Sequence, residues 1–177
     1  MLAYQRGDSV AFEKLYKRHK DALFAFLYRS HVDLSAIEEI AQETWMAIIN
    51  SSKNYRPSAK FRTWLYAIAH RKLVDFWRRN NFDHLHDTIN DKGELIVETV
   101  ADTTNPGTDS VDLSMDLLLA LESLSKQQQQ AYLLKEEGFS RKEIAVMTNS
   151  NEETIKSRIR YATNHLKRLL EVQYAEQ

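Results

Sequence analysis

The chain has 177 residues, 43% hydrophobic and 28% charged, with only 4 Gly and 2 Pro, a balance that suits one ordinary or two small domains built from long helices. It has no Cys, which excludes a disulfide framework and a cysteine nucleophile and disfavours structural zinc. The formal net charge of −1 hides a partition: residues 1–80 carry 14 Lys+Arg against 8 Asp+Glu, residues 81–115 carry 1 against 8, and residues 116–177 carry 9 against 9. A basic segment, an acidic spacer and a neutral segment are three different objects. Charges run through the first twenty positions, so no signal-peptide core is present there, and no later apolar run is long enough for a bilayer. A cytoplasmic location without membrane insertion is expected.

In chain order, Phe12, Leu15, Tyr16, His19, Leu23, Phe26 and Leu27 recur at helical spacing, which predicts a helix starting near a capping Asp8 or Ser9. A second helix is read from Ser35, with Ile37, Ile40, Ala41, Thr44, Trp45 and Ile48 inward and the mostly acidic Glu38, Glu39, Gln42, Glu43 and Met46 outward. An acidic face beside a basic segment is not the DNA-facing side, so it is free for a protein partner. Pro57 breaks the pattern, because it holds Arg56 away from helical geometry. A third helix follows from about Phe61 to Arg79. From Asn81 to Met115 the sequence is polar, acidic and aperiodic, as in a linker. A helical face returns at Leu117, Leu118, Leu121 and Leu124 and again at Tyr132, Leu133 and Leu134, before Gly138, a residue suited to a helix end. Arg141 to Met147 and Glu152 to about Leu170 close the chain as a short helix, a turn and a longer helix. The fold class expected is all-α: two small helical domains joined by a flexible acidic linker, the C-terminal one a helix-turn-helix.

Two stretches carry nucleic-acid chemistry. If Ile155, Ile159, Ala162 and Leu166 face inward, then Lys156, Ser157, Arg160, Tyr161 and Asn164 face outward or sideways, where they reach base edges or phosphates. Residues 140–170 hold 7 basic against 3 acidic side chains, the acidic ones at helix starts, where the helix dipole favours them. Between Arg56 and Arg79 there are 7 Lys+Arg and one acidic residue, interleaved with aromatics, a mixture that suits unpaired strands. Trp64, Leu65, Ile68 and Phe76 are read as core rather than as base platforms. Tyr55, Arg56, Ser58, Lys60 and Phe61, together with Arg62, Arg78 and Arg79, are the candidates for strand binding, since loops on a rigid scaffold can enclose an extruded base. The six His include only one close pair, His84 and His86, without a matching ligand set. No Gly-rich phosphate loop, GxSxG or HExxH occurs, so no catalytic residue, metal or cofactor is expected.

The stretches SAIEEIAQETWMAIINSSKNYRPSAKFRTWLYAIAHRKLVDFWRRN and LSKQQQQAYLLKEEGFSRKEIAVMTNSNEETIKSRIRYATNHLKRL resemble regions two and four of extracytoplasmic-function sigma factors. Both signatures occur, in the family's order, over nearly all of the chain outside the acidic segment. The resemblance implies an alternative sigma factor, a non-catalytic subunit that binds core RNA polymerase and helps melt the promoter. It divides the chain into a region-two domain over 1–80, an acidic linker over 81–115 and a region-four domain over 116–177. Glu39, Gln42, Glu43 and Met46 would contact the polymerase clamp helices, and the apolar face from Leu117 to Leu134 would receive the flap. Residues Tyr55 to Phe61 and the helix after them would bind the minus-ten element as single strand. Lys156, Ser157, Arg160 and Tyr161 would face the minus-thirty-five duplex, and an anti-sigma factor is an expected partner. Pro57-Ser58 stands where relatives often carry Gly-Asp, Ser125 replaces a common Pro, and Thr148-Asn149-Ser150 replaces a Leu-Gly-apolar turn in which Asn149 can take the left-handed conformation. Two competing readings remain: an autonomous helix-turn-helix regulator, and a helical scaffold without DNA binding.

Overall fold

The computed structural model describes residues 1–30, 33–80 and 117–175. The predicted linker, with His84 and His86, lies outside the described residues. The elements are α1 (Leu2–Gln5), α2 (Ser9–Tyr28), α3 (Leu34–Asn50), a 3₁₀ turn (Ser52–Asn54), α4 (Phe61–Arg79), α5 (117–122), α6 (Lys126–Glu136), α7 (Arg141–Met147) and α8 (Glu152–Ala175). Among the described residues every regular element is helical, as the scarcity of Gly and Pro predicts.

Helices α2, α3 and α4 pack on one another as the N-terminal unit. Asp8 caps α2 by accepting from the Ala11 amide at 3.1 Å, and Asp33 caps α3 by accepting from the Ala36 amide at 2.9 Å. The second helix therefore begins at Leu34 rather than Ser35. The inward stripes close on each other: Leu23, Phe26 and Leu27 from α2, Ile37, Ile40 and Ile48 from α3, and Leu65 and Leu73 from α4 are at most 1% exposed. Each such side chain contributes about 1.5–3 kcal/mol through removal from water. Phe26 and Tyr66 add a tilted ring contact at 5.1 Å between centroids.

The C-terminal unit packs α6 and α7 on α8. The helical face expected to run from Leu117 through Leu134 is broken into α5 and α6, and Ser125 stops the chain between them by accepting from the Gln128 amide at 3.3 Å. Helix α6 ends on Gly138, φ +83°. The Gly138 amide donates to Lys135 O at 2.9 Å and the Phe139 amide to Leu134 O at 3.2 Å, the paired bonds of a left-handed helix stop. The same geometry ends α7: Asn149 sits at φ +51°, and the Ser150 amide reaches Ala145 O at 2.9 Å. Asn149 thus supplies the left-handed residue that the turn requires, as expected. Asn151 then caps α8, accepting from the Thr154 amide at 2.7 Å. Helix α7 matches its expected bounds, and α8 runs five residues beyond Leu170.

Helices α4 and α7 are in contact, so the two units close against each other.

Candidate nucleic-acid interface

The Tyr55–Phe61 loop is held at both ends and free in the middle. Tyr55 stacks on Trp64 at 4.8 Å, and Phe61 meets His19 at 5.4 Å and Trp64 at 6.0 Å. Burial, followed by the nearby Arg18 and Arg62 charges, pushes the His19 pKa below its ordinary value, so a neutral imidazole packs on Phe61 near pH 7. Arg56, Ser58 and Lys60 are exposed. Leu65 is buried and Trp64, Ile68 and Phe76 pack against the core, as read from the sequence. Arg78 and Arg79 project into solvent at the far end of α4. The loop and the helix after it therefore present exposed cations around partly covered aromatics, an arrangement able to hold a strand by its phosphates with a base against a ring.

On α3, Glu39, Gln42 and Met46 are exposed. Glu43 is partly covered and accepts an ion pair from Lys72 of α4 at 2.9 Å. The face is outward as expected, with Glu43 at its inner edge.

On α8, Ile155, Ala162 and Leu166 are buried and Ile159 is half-buried, which leaves Lys156, Arg160, Tyr161 and Asn164 exposed and Ser157 half-buried on the opposite side. Tyr161, 43% exposed, lies under the Arg160 guanidinium at 5.3 Å, and Lys156 pairs loosely with Glu153 at 3.2 Å. Arg158, on the inner side, donates to Ser150 Oγ at 3.0 Å and to Gln127. It ties the turn and α6 to the recognition helix. Polar bonds thus replace the apolar anchors that the turn lacks.

Arg62 is placed differently from the other candidates. It donates to Glu137 Oε2 at 2.8 Å, with its guanidinium 4.4 Å from the Phe139 ring centroid. Arg29, at the end of α2, donates to Glu137 Oε1 at 2.5 Å, and the Tyr66 hydroxyl donates to Oε2 at 2.9 Å. The Glu137 side chain is only 11% exposed. Burial, then the Glu137 charge, raises the Tyr66 pKa well above its ordinary value. Further bonds join the units: the Thr63 hydroxyl donates to Glu143 Oε1 at 2.9 Å, Gln130 Nε2 donates to Ser30 Oγ at 2.9 Å, and Gln130 Oε1 lies 3.4 Å from His70 Nδ1. Glu143, which also caps α7 through Ser140, has its carboxyl pKa lowered by the Ser140 backbone and hydroxyl hydrogen bonds and by Thr63.

Sequence reasoning missed four residues here. Neither Arg29 nor Glu137 stands out by periodicity, yet Glu136-Glu137 at the C-terminus of α6 faces the negative end of the helix dipole, and that mismatch is a legible sign of a cationic partner elsewhere. Arg158 was read only as one charge among several on α8. Gln5, on α1, donates to Lys53 O at 2.8 Å and Tyr55 O at 3.3 Å, bracing the entry to the basic loop. Nothing in the sequence marks that contact.

The family model described as sigma-70 region 2 matches residues 15–82, and the model described as sigma-70, region 4 matches residues 114–166; together they take in more than half of the chain. RNA polymerase sigma factor CarQ of Myxococcus xanthus is 28% identical over 171 residues, 96% of this chain and 95% of that one. RNA polymerase sigma factor YlaC of Bacillus subtilis is 28% identical over 129 residues, 73% of this chain and 72% of that one. ECF RNA polymerase sigma factor SigE of Mycolicibacterium smegmatis is 28% identical over 167 residues, 91% of this chain, which spans 63% of that relative. Among solved structures, the sigma factor RpoE of Bartonella quintana, crystallised with the anti-sigma factor NepR, has the same fold with a TM-score of 0.70 and 24% identity, covering 92% of this chain and 98% of that one. Two helical units, one with a basic loop and helix and the other with a helix-turn-helix, define a DNA-binding transcription protein. The chain belongs to the sigma-70 family, in its extracytoplasmic-function group. It is an alternative sigma factor acting in transcription initiation, with core RNA polymerase and promoter DNA as its partners.

Proposed function

We propose that the chain divides its work by residue as follows. Residues 1–80 act as the polymerase-docking and minus-ten unit, 116–177 as the minus-thirty-five unit, and the acidic 81–115 segment as the tether between them. Glu39, Gln42, Glu43 and Met46 meet the polymerase clamp helices. Tyr55, Arg56, Ser58, Lys60 and Phe61 hold the unpaired minus-ten strand, with Arg62, Arg78 and Arg79 on its phosphates. Lys156, Ser157, Arg160, Tyr161 and Asn164 address the minus-thirty-five duplex in the major groove, as a recognition helix does. The protein carries out no chemistry of its own and works in the cytoplasm beside the polymerase. An anti-sigma factor that holds the two units together is a further partner, in keeping with the bound state of the RpoE relative. No helix among the described residues is long and apolar enough to cross a membrane.

The observation that carries this reading is the occurrence, on one chain, of an exposed basic loop over partly covered aromatics and of an exposed basic recognition helix on a separate unit. An autonomous helix-turn-helix regulator has no use for the first, and a scaffold has no use for either. The test is transcription in vitro with purified core polymerase on a promoter library. The reading expects defined starts that depend on this protein and that fall when Lys156 and Arg160 are reversed to Glu. Tight duplex binding without polymerase, and no stimulated start on any template, would refute it.

A further inference from the structure

We propose that Arg29 and Arg62, with the Tyr66 hydroxyl, form a binding site for a DNA backbone phosphate, and that Glu137 occupies this site as a phosphate substitute while the chain is closed. The inference rests on the promoter reading above and deepens it: that reading puts Arg62 on a strand phosphate, and Arg29, the Tyr66 hydroxyl and the Glu137 carboxylate opposite them are added here. Three donors converge from two helices of the N-terminal unit: Arg29 Nη2 on Glu137 Oε1 at 2.5 Å, Arg62 Nη2 on Oε2 at 2.8 Å and Tyr66 Oη on Oε2 at 2.9 Å. The carboxylate is contributed by the other unit, from the C-terminal end of α6. A carboxylate and a phosphodiester present the same feature to arginine, a pair of anionic oxygens that accept charge-assisted hydrogen bonds. Donors set to grip one are set to grip the other.

The position of the site supports a nucleic-acid occupant. Arg62 directly follows Phe61, the last residue of the basic loop, and shares α4 with Thr63 and Tyr66. Arg56 and Lys60, the cations assigned to the strand, precede it closely in the chain. Both arginine side chains keep about a third of their surface open, 32% and 36%, so the cradle sits at the mouth of the interface rather than within a core. When the units part, two cations and a hydroxyl lose their anion together. Two guanidiniums side by side repel in that state, and an incoming phosphate relieves the repulsion. The same arginines thus keep the chain closed or hold DNA, never both. The acid opposite is fixed in place by the left-handed stop at Gly138, which also sets Phe139 beneath the Arg62 guanidinium.

The test uses the full chain and a fluorescein-labelled single-stranded oligonucleotide of mixed sequence, with far-UV circular dichroism to check the fold. Glu137→Gln removes the charge with nearly the same shape. It is expected to bind the oligonucleotide about tenfold more tightly than wild type, and Arg29→Ala added to it should return affinity to the wild-type level and reduce the salt dependence by close to one counterion. Glu137→Asp, which keeps the charge but withdraws it by one methylene, should give a smaller gain and serves if the amide variant does not fold. An unchanged affinity in both Glu137 variants would overturn the proposal. So would a gain that survives Arg29→Ala, because the phosphate would then be held elsewhere. Promoter-dependent transcription by wild-type holoenzyme, run in parallel, separates the two levels: its failure removes the promoter reading, while the oligonucleotide measurements judge the phosphate site alone.

Discussion

Replacing Gln5 by Ala should weaken capture of the unpaired minus-ten strand while leaving recognition of the upstream duplex intact. The side-chain amide of Gln5 makes one well-formed bond to Lys53 O at 2.8 Å and a longer one to Tyr55 O at 3.3 Å. Lys53 lies within the 3₁₀ turn that feeds the basic loop, and Tyr55 caps its end. Helix α1 is itself anchored through Tyr4 on Phe12 at 4.8 Å and Phe12 on Trp45 at 6.0 Å, so Gln5 is a brace on a fixed support. A typical intramolecular hydrogen bond contributes about 0.5–1.5 kcal/mol net. The bonds here are exposed and one is long, so the pair together should be worth about 1 kcal/mol, or roughly a fivefold loss of affinity. Fluorescence anisotropy of the holoenzyme on a single-stranded minus-ten oligonucleotide reads that loss, and a minus-thirty-five duplex serves as the internal control. Equal losses on both probes, or none on the single strand, would refute the idea that the N-terminal turn sets the loop.

Arg160→Ala should weaken binding of the minus-thirty-five duplex by about 1–3 kcal/mol if the guanidinium meets a base edge, with relaxed preference at one position of a randomised duplex. Glu43→Lys should lower affinity for core polymerase in a pull-down titration; losing the half-exposed pair with Lys72 at 2.9 Å should cost less than about 1 kcal/mol of thermal stability, and an unfolded variant would contradict this separation of roles. His70 is half-buried, and desolvation lowers its pKa, with Arg158 and Arg71 adding to the effect and the Gln130 hydrogen bond opposing it. The folded protein therefore keeps His70 neutral where the unfolded chain, with a value of about 6.5, takes up a proton. Stability should be fully present above pH 6.5 and fall as the pH drops below it, and a His70→Gln variant should show a flatter loss between pH 6.5 and 5 in thermal melts. A wild-type melting temperature that is level across that range would contradict this.

The elements legible in the sequence were those with long periodic faces. Phe12 through Leu27, Ile37 through Ile48 and the Arg141–Met147, Glu152 pair announced α2, α3, α7 and α8 because one side of each must be buried. Asn149 could be assigned its left-handed conformation because the turn needed one and Asn tolerates it. Helix α1 was not legible: four residues carry no period. The break at Ser125 was hidden because Leu121, Leu124, Leu133 and Leu134 all turned out buried, and a run of leucines reads the same whether one helix or two present it. The closed arrangement was the largest omission. It depends on pairs such as Arg29 with Glu137 and Ser30 with Gln130, about a hundred residues apart, and polar contacts at that separation leave no periodic trace. For the same reason Arg62 could be recognised as a cation for DNA but not as a side chain already engaged.

In the proposed function, two promoter-contacting units, shut against each other through Glu137 and its neighbours, separate to engage two elements of one promoter. The absence of Cys allows a donor and an acceptor dye to be placed at Lys14→Cys and Lys167→Cys, outside both proposed DNA surfaces, and energy transfer to be read in the free protein, in the holoenzyme and on promoter DNA. Transfer should differ between the free protein and the promoter-bound holoenzyme, with the free Glu137→Gln variant shifted toward the promoter-bound value. Transfer unchanged from the free to the promoter-bound state, in a complex that starts transcripts normally, would show that the units do not part.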